Sequence, residues 1–277
     1  MKLALPLLLV LQTWAVFAYD PSQREVKNSI PPEIEGLKVE NRLGQKINLD
    51  REFLNEDGNK VSLRSLFESG KPILLSLVYY RCPTLCNFHL TGLNNIFKGF
   101  DWNLGDKFEY VAISIDPEET PALAKAKKKA FTDDYSKSAK GRSAAGWHFL
   151  TDNSGTVKDL ATELGFPYRY NEGLKQWNHP SVVYILTPTG TISRYLQGIQ
   201  FSETDLKLSI MEASGGKIGG VLDKFIMYCY QFDPNRNRYA IYAMNIMRIG
   251  AVFTVFLIGS FLLRFWMKNS RIAGEAI

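Results

Sequence analysis

The chain has 277 residues, enough for one domain of ordinary size plus appendages, and 45% hydrophobic with 22% charged content gives it a core to bury. Three cysteines, Cys82, Cys86 and Cys229, are far too few for a disulfide scaffold. The net charge of +5 is local: residues 217–277 hold eight Lys/Arg against three Asp/Glu, while residues 19–216 hold 24 against 25, which points to membrane flanks and excludes a nucleic-acid surface.

The chain opens with MKLALPLLLVLQTWAVFAYD, one Lys followed by an apolar run, with Val16 and Ala18 as small residues before Tyr19. This predicts a secretory signal peptide over residues 1–18. An N-terminal extension, 19–44, is irregular and carries Pro21, Pro31 and Pro32. Short strands are predicted over 45–50, 52–54 and 60–63, with the turn cluster Asn55-Glu56-Asp57-Gly58 between the last two. Residues 73–79 (ILLSLVY) form an apolar run of strand length, suited to a strand buried on both faces. Cys82-Pro83 follows, and Pro83 suits the first position of a helix. Leu85, Phe88, Leu93, Ile96 and Phe97 then recur near helical spacing.

Residues 108–115 (FEYVAISI) predict a second buried strand, ended by Asp116-Pro117. Thr120-Pro121 start a helix through about Tyr135, whose Lys125 and Lys127 to Lys129 read as a solvated face. A strand over 147–150, a helix over 157–164 stopped by Gly165, strands over 181–186 and 191–196, and a helix over 202–211 complete the pattern. Strands alternating with helices predict an α/β layer fold, and a buried strand running into a helix that begins with cysteines predicts a thioredoxin-like one: a central mixed sheet flanked by helices over residues 45–216. After a juxtamembrane segment, 217–247, residues 249–263 (IGAVFTVFLIGSFLL) carry no charge, and Gly250 and Gly259 suit a membrane helix. A spanning helix over 248–268 and a cytoplasmic tail over 269–277 are predicted, with Arg264 snorkelling to the headgroups. A buried core helix is the rival reading. If the signal peptide exports the domain, Arg264, Lys268 and Arg271 lie on the cytoplasmic side.

The chemistry centres on YYRCPTLCNFHL. Cys82 and Cys86 are four apart, so on a helix both sulfurs share one face over the first turn. Unpaired N–H groups, the helix dipole and the nearby Arg81 favour thiolates, the form that attacks disulfides and binds metal. Two thiolates attract soft copper(I), which also accepts imidazole nitrogen. The chain has three histidines, His89, His148 and His179. His179-Pro180 lies just before the strand at 181, in the loop that packs against the cysteine motif in a thioredoxin-like fold. His89 is a rival ligand, three residues beyond Cys86. His148, inside a strand pattern, reads as a packed core residue. A plain Cys82–Cys86 disulfide is the bland alternative.

The segments YYRCPTLC, SIDPEETP at 114–121, WHFLTD at 147–152 and the His179 stretch leading into SVVYILTPTG resemble the Sco/SenC family of thioredoxin-fold copper chaperones for cytochrome c oxidase. The tail, with EASGGKIGG at 212–220 and CYQFDP at 229–234, resembles a longer bacterial branch with a final membrane helix. The resemblance spans about residues 35–265. It implies Cys82, Cys86 and His179 as ligands for copper, as Cu(I) and in some states Cu(II), and the CuA centre of oxidase subunit II as the target. An acidic residue often precedes the family histidine, where this chain has Asn178.

The expected function is therefore a copper metallochaperone, with Cys82 and Cys86 as a redox-active pair in the alternative, an extracytoplasmic thiol-disulfide oxidoreductase. A peroxidase is a third reading. The expected partners are oxidase subunit II, a periplasmic thiol reductant or other copper carrier, and the membrane. The expected location is a bacterial inner membrane, single-pass, with the domain facing the periplasm.

Overall fold

The computed structural model describes residues 37–82, 85–138, 144–215, 227, 230–233, 238–241 and 243–274. The predicted signal peptide, most of the N-terminal extension, Pro83, the Cys86 side chain and Cys229 lie outside the described residues.

Strands β1 (Glu52–Leu54) and β2 (Lys60–Ser62) form an antiparallel hairpin. Its turn is held by Asn55, whose Oδ1 accepts from the N–H of Asp57 at 3.0 Å and of Asn59 at 2.9 Å. Residues 45–50, expected as a strand, contribute a single bridge between Lys46 and Thr191. The segment is anchored from outside instead: Arg51 pairs with Asp159 and Glu163, and the Asn48 N–H donates to Glu163.

Helix α1 (Leu63–Phe67) leads to β3 (Ile73–Val78), then α2 (Leu85–Gly99), β4 (Glu109–Ser114), α3 (Pro121–Lys137), β5 (Trp147–Leu150) and α4 (Thr156–Leu164). Hairpin β6 (Arg169–Asn171) and β7 (Gln176–Asn178) follows, then β8 (Val182–Leu186), β9 (Ile192–Gln197) and α5 (Glu203–Ala213). The sheet order is β5-β4-β3-β8-β9. β3, β4 and β5 run parallel, and β8 and β9 are antiparallel to their neighbours, so the sheet is mixed. Leu75 faces Val111 on one side and Tyr184 on the other.

Every residue of β3, β4 and β8 is buried, which requires cover on both faces. The continuous apolar runs over 73–79 and 108–115 encode this directly. One core region is an aromatic cluster: the Phe97, Phe108, Tyr110 and Trp147 rings lie 5.2–5.7 Å apart in edge and tilted contacts. Helix starts and stops follow the local signals. Thr120 caps α3 by accepting from the Leu123 N–H, with Pro121 in its first turn. α4 ends at Gly165, whose φ of +66° lets its N–H return to the carbonyls of Ala161 and Thr162.

Two surface expectations change. Phe88 is 62% exposed, and α2 buries His89, Leu90, Leu93, Asn94 and Phe97 instead. The α3 lysines are engaged as well as solvated: Lys128 pairs with Glu56 at 3.0 Å, and Lys127 donates to Asn87 Oδ1 at 2.6 Å.

Past α5, strands β10 (Tyr230–Asp233) and β11 (Arg238–Ile241) pair antiparallel. This hairpin docks on α5, where the Tyr239 N–H donates to Asp205 at 2.8 Å and the buried Tyr239 hydroxyl donates to Glu212. Helix α6 (Ala243–Gly274) follows. Its 32 residues give about 48 Å of length, more than a hydrocarbon core needs. Residues 247–264 form its apolar stretch, and none of that stretch is buried. A core helix hides its apolar side chains, and this stretch is not covered by the described residues of the domain.

Candidate metal and thiol site

The site forms where β3 runs out of the sheet. Tyr80 and Tyr79 leave the strand in opposite directions. The buried Tyr80 hydroxyl donates between the carbonyls of Leu150 at 2.8 Å and Ala112 at 3.0 Å, locking the strand end to β4 and β5. Burial pushes the Tyr80 phenol well above its ordinary pKa, so it remains a donor. Tyr79 turns the other way, and its ring meets His179 edge-on at 5.9 Å.

Cys82 is 6% exposed and lies in a turn, with its N–H donating to the Tyr79 carbonyl at 3.3 Å. It stands outside α2, while Cys86 belongs to the first turn of that helix. The helical i, i+4 relation expected for the two cysteines runs through residues 83 and 84, which lie outside the described residues. Asn87 ties the turn to the helix, donating from Nδ2 to the Cys82 carbonyl at 3.1 Å while its own oxygen accepts from Lys127. Arg81, expected as a cation beside the thiols, is half exposed and is drawn to Glu118, donating to its carbonyl at 3.2 Å.

Glu119 is the residue that sequence reasoning missed. Its carboxylate is 3% exposed and accepts from the N–H of Tyr80 at 2.7 Å, the N–H of Arg81 at 2.6 Å and the Ser114 hydroxyl at 2.6 Å. It thus fixes the two residues that precede Cys82. Burial outweighs these three donors and raises its pKa. The sequence signal was weak: an acidic pair just past a buried strand, ahead of a capping Thr-Pro.

His179 lies between β7 and β8, 8% exposed. Its ring sits 5.7 Å from Phe166 as well as against Tyr79. Nδ1 is 2.8 Å from the Pro180 carbonyl, and a carbonyl only accepts, so Nδ1 carries the proton and the lone pair belongs to Nε2. Burial lowers the His179 pKa, while the charge of nearby Cys82 acts to raise it. Tyr79 thus meets both His179 and, through its carbonyl, the Cys82 N–H. The His179–Pro180 peptide is trans, since no described peptide bond is cis.

The other two histidines lie elsewhere. His89 is 2% exposed and points inward from α2; Nε2 is 2.9 Å from Ser76 Oγ and Nδ1 is 2.8 Å from Ser181 Oγ. Both nitrogens are engaged, and burial lowers its pKa to about 4, which makes it a neutral core group. His148 is half-buried on β5, with Nε2 at 3.2 Å from the buried Glu109, which also pairs with Lys71 at 3.0 Å. Among the described residues no three His, Cys, Asp or Glu side chains form a metal-sized group.

A mixed five-stranded sheet, a cysteine turn at the β3–α2 junction and a histidine loop before β8 define a thioredoxin-like protein with a thiol–imidazole site. The sequence profile of the SCO1/SenC family matches residues 39–211, and the chain belongs to that family. Among solved structures, a protein from Aquifex aeolicus is 23% identical with a TM-score of 0.55, covering 63% of this chain and 96% of its own. BsSco, described as a member of the Sco family of cytochrome c oxidase assembly proteins, is 24% identical over 64% of this chain and 98% of its own, with a TM-score of 0.48. Arabidopsis thaliana ScoI, solved with copper bound, is 18% identical over 62% of this chain and 97% of its own, with a TM-score of 0.47. A search of curated proteins gives no match.

Proposed function

We propose that this chain is a copper metallochaperone that takes copper(I) as cargo through Cys82, Cys86 and His179 and passes it to the CuA centre of oxidase subunit II. Membership of the SCO1/SenC family supports this reading. The observation that carries it is that Tyr79 contacts the His179 ring and accepts the Cys82 N–H, which puts both at one strand end. The Pro180 carbonyl holds the imidazole in the tautomer that carries its proton on Nδ1 and leaves Nε2 as the acceptor nitrogen. A thiolate and a neutral imidazole form a soft donor set that suits copper(I). Burial keeps His179 neutral, and Phe166 and Tyr79 restrict its ring, so the ligand is oriented before metal arrives.

The test is copper(I) loading of the full chain in detergent under anaerobic conditions, with the cysteines reduced or oxidised. The reduced chain should hold one copper and the oxidised chain none, because a Cys82–Cys86 disulfide offers no thiolates. Equal retention in both would overturn the reading.

A second reading, thiol-disulfide exchange with partner cysteines, draws on a different observation. Cys82 stands in a turn ahead of α2 and Cys86 in its first turn, the place where a helix dipole favours thiolate. Copper-independent reduction of an oxidase-derived dithiol peptide would favour this reading.

A further inference from the structure

The site is assembled from pieces that are distant in sequence, and the structure joins them through one buried side chain that the copper reading does not use. His89 projects from α2, one turn beyond Cys86, and is buried at a point where three other segments converge. Its Nε2 meets Ser76 of β3, the strand that leads to Cys82. Its Nδ1 meets Ser181, two residues after His179. The Ser181 hydroxyl donates onward to the carbonyl of Gly198 at 2.9 Å, at the end of β9.

The direction of every bond follows from the last one. Gly198 O can only accept, so the Ser181 proton goes to it. Ser181 Oγ then accepts from His89 Nδ1–H, which also lies by the Gly198 carbonyl. That leaves the lone pair on His89 Nε2, which the Ser76 hydroxyl fills. Both ring nitrogens of His89 and both hydroxyl protons are matched, which favours a buried polar network that rigidifies a fold. The segment after β9 presses close to the same helix: a Cβ on Gly92 would meet the Ile199 carbonyl at 2.6 Å, and Phe201 packs edge-on against the His89 ring at 5.4 Å.

We propose that His89 is the positioning residue of this site: it bolts the helix that carries Cys86 to the loop that carries His179 and thereby sets the spacing of the metal-binding groups. This rests on the copper reading for its consequence, while its geometry is independent of metal. Serine hydroxyls at both nitrogens make His89 a spacer of fixed length between α2, β3 and the His179 loop. An apolar residue there would fill the space and make neither bond.

The test uses the full chain in detergent, reduced, with His89→Ala, Ser181→Ala, His179→Ala and the doubles with His179→Ala. His89→Ala and Ser181→Ala should each weaken copper(I) about 10-fold while keeping the nitrogen ligand in X-ray absorption, as outer groups that orient a ligand do. Combined with His179→Ala, either should add less than about 2-fold, since the loop they hold no longer bears a ligand. His89→Asn, which can keep an N–H donor toward Ser181, should restore most of the affinity. Effects that multiply with His179→Ala would overturn the proposal, because His89 would then be supporting the fold at large. A second measurement needs no copper. The chain has three histidines, so selective ¹⁵N labelling resolves each ring. In the metal-free protein the His179 signals should shift or split in His89→Ala and Ser181→Ala. Unchanged His179 signals would overturn the proposal. A wild-type chain that binds no copper would overturn the metallochaperone reading instead, and the metal-free signals would still decide the role of His89.

Discussion

The Glu119 carboxylate accepts from the backbone N–H of Arg81 at 2.6 Å, one residue before Cys82, and from that of Tyr80 at 2.7 Å. A loop from β4 therefore holds the turn that presents the cysteine on β3. Replacing Glu119 with Gln puts an amide NH₂ against an N–H or O–H donor in a buried place. The expected cost is about 1–3 kcal/mol, with a fall of several degrees in Tm and faster copper loss to a competing chelator. Thermal unfolding of the two proteins side by side checks it, and an unchanged Tm would show that the turn holds itself.

The His179→Ala chain should fold and keep its thiol titre but bind copper(I) much more weakly. X-ray absorption on the wild type should show two sulfurs and one nitrogen, and the nitrogen should vanish in His179→Ala and persist in His89→Ala. Loss of the nitrogen in His89→Ala alone would reverse the assignment. The hydrogen bonds that occupy both ring nitrogens of His89 argue against that outcome.

Stability should depend on pH through His89. Its folded pKa, about 4, lies below the ordinary 6.5, so between these values the unfolded chain binds the extra proton. Stability from this group is complete above pH 6.5 and is lost as pH falls from 6.5 through about 4, by at most about 3 kcal/mol. His179, also lowered by burial, acts in the same direction. Glu119, raised by burial, acts in the opposite one: its contribution is present below 4.5 and lost as pH rises through its folded value. Denaturant unfolding at pH 7, 5.5 and 4 should therefore show a shallower acid loss in His89→Asn than in the wild type. Parallel curves would contradict the buried neutral state of His89.

Helix α6 should anchor the chain, with the thioredoxin-like domain outside the cytoplasm. Protease added to spheroplasts should digest the domain and leave a small C-terminal fragment. A domain that is protected until lysis would refute this topology. The exposed side chains of Val252, Phe253, Val255 and Phe256 have no protein cover, which is the physical basis for placing them in lipid.

Much of this protein was legible from its residues alone. Short apolar runs bounded by turn signals fit strands with both faces covered, so β3, β4 and β8 and the α/β class could be read from pattern and length. Thr120-Pro121 and Gly165 marked helix ends because capping and left-handed backbone are local effects. The paired cysteines, and the histidine ahead of β8, pointed to one site. What only the tertiary structure decided depends on contacts across long separations. Residues 45–50 form one bridge beside β9 and no ladder beyond it, because their remaining bonds divide between α1 and α4. Phe88 faces outward and His89 inward, a rotation of α2 that is set by which neighbours offer partners. Ser76 and Ser181 are 105 positions apart, yet each bonds one ring nitrogen of the buried His89. Glu119 acts on backbone N–H groups 38 and 39 positions away, and the sequence carries no periodicity that records such a bond.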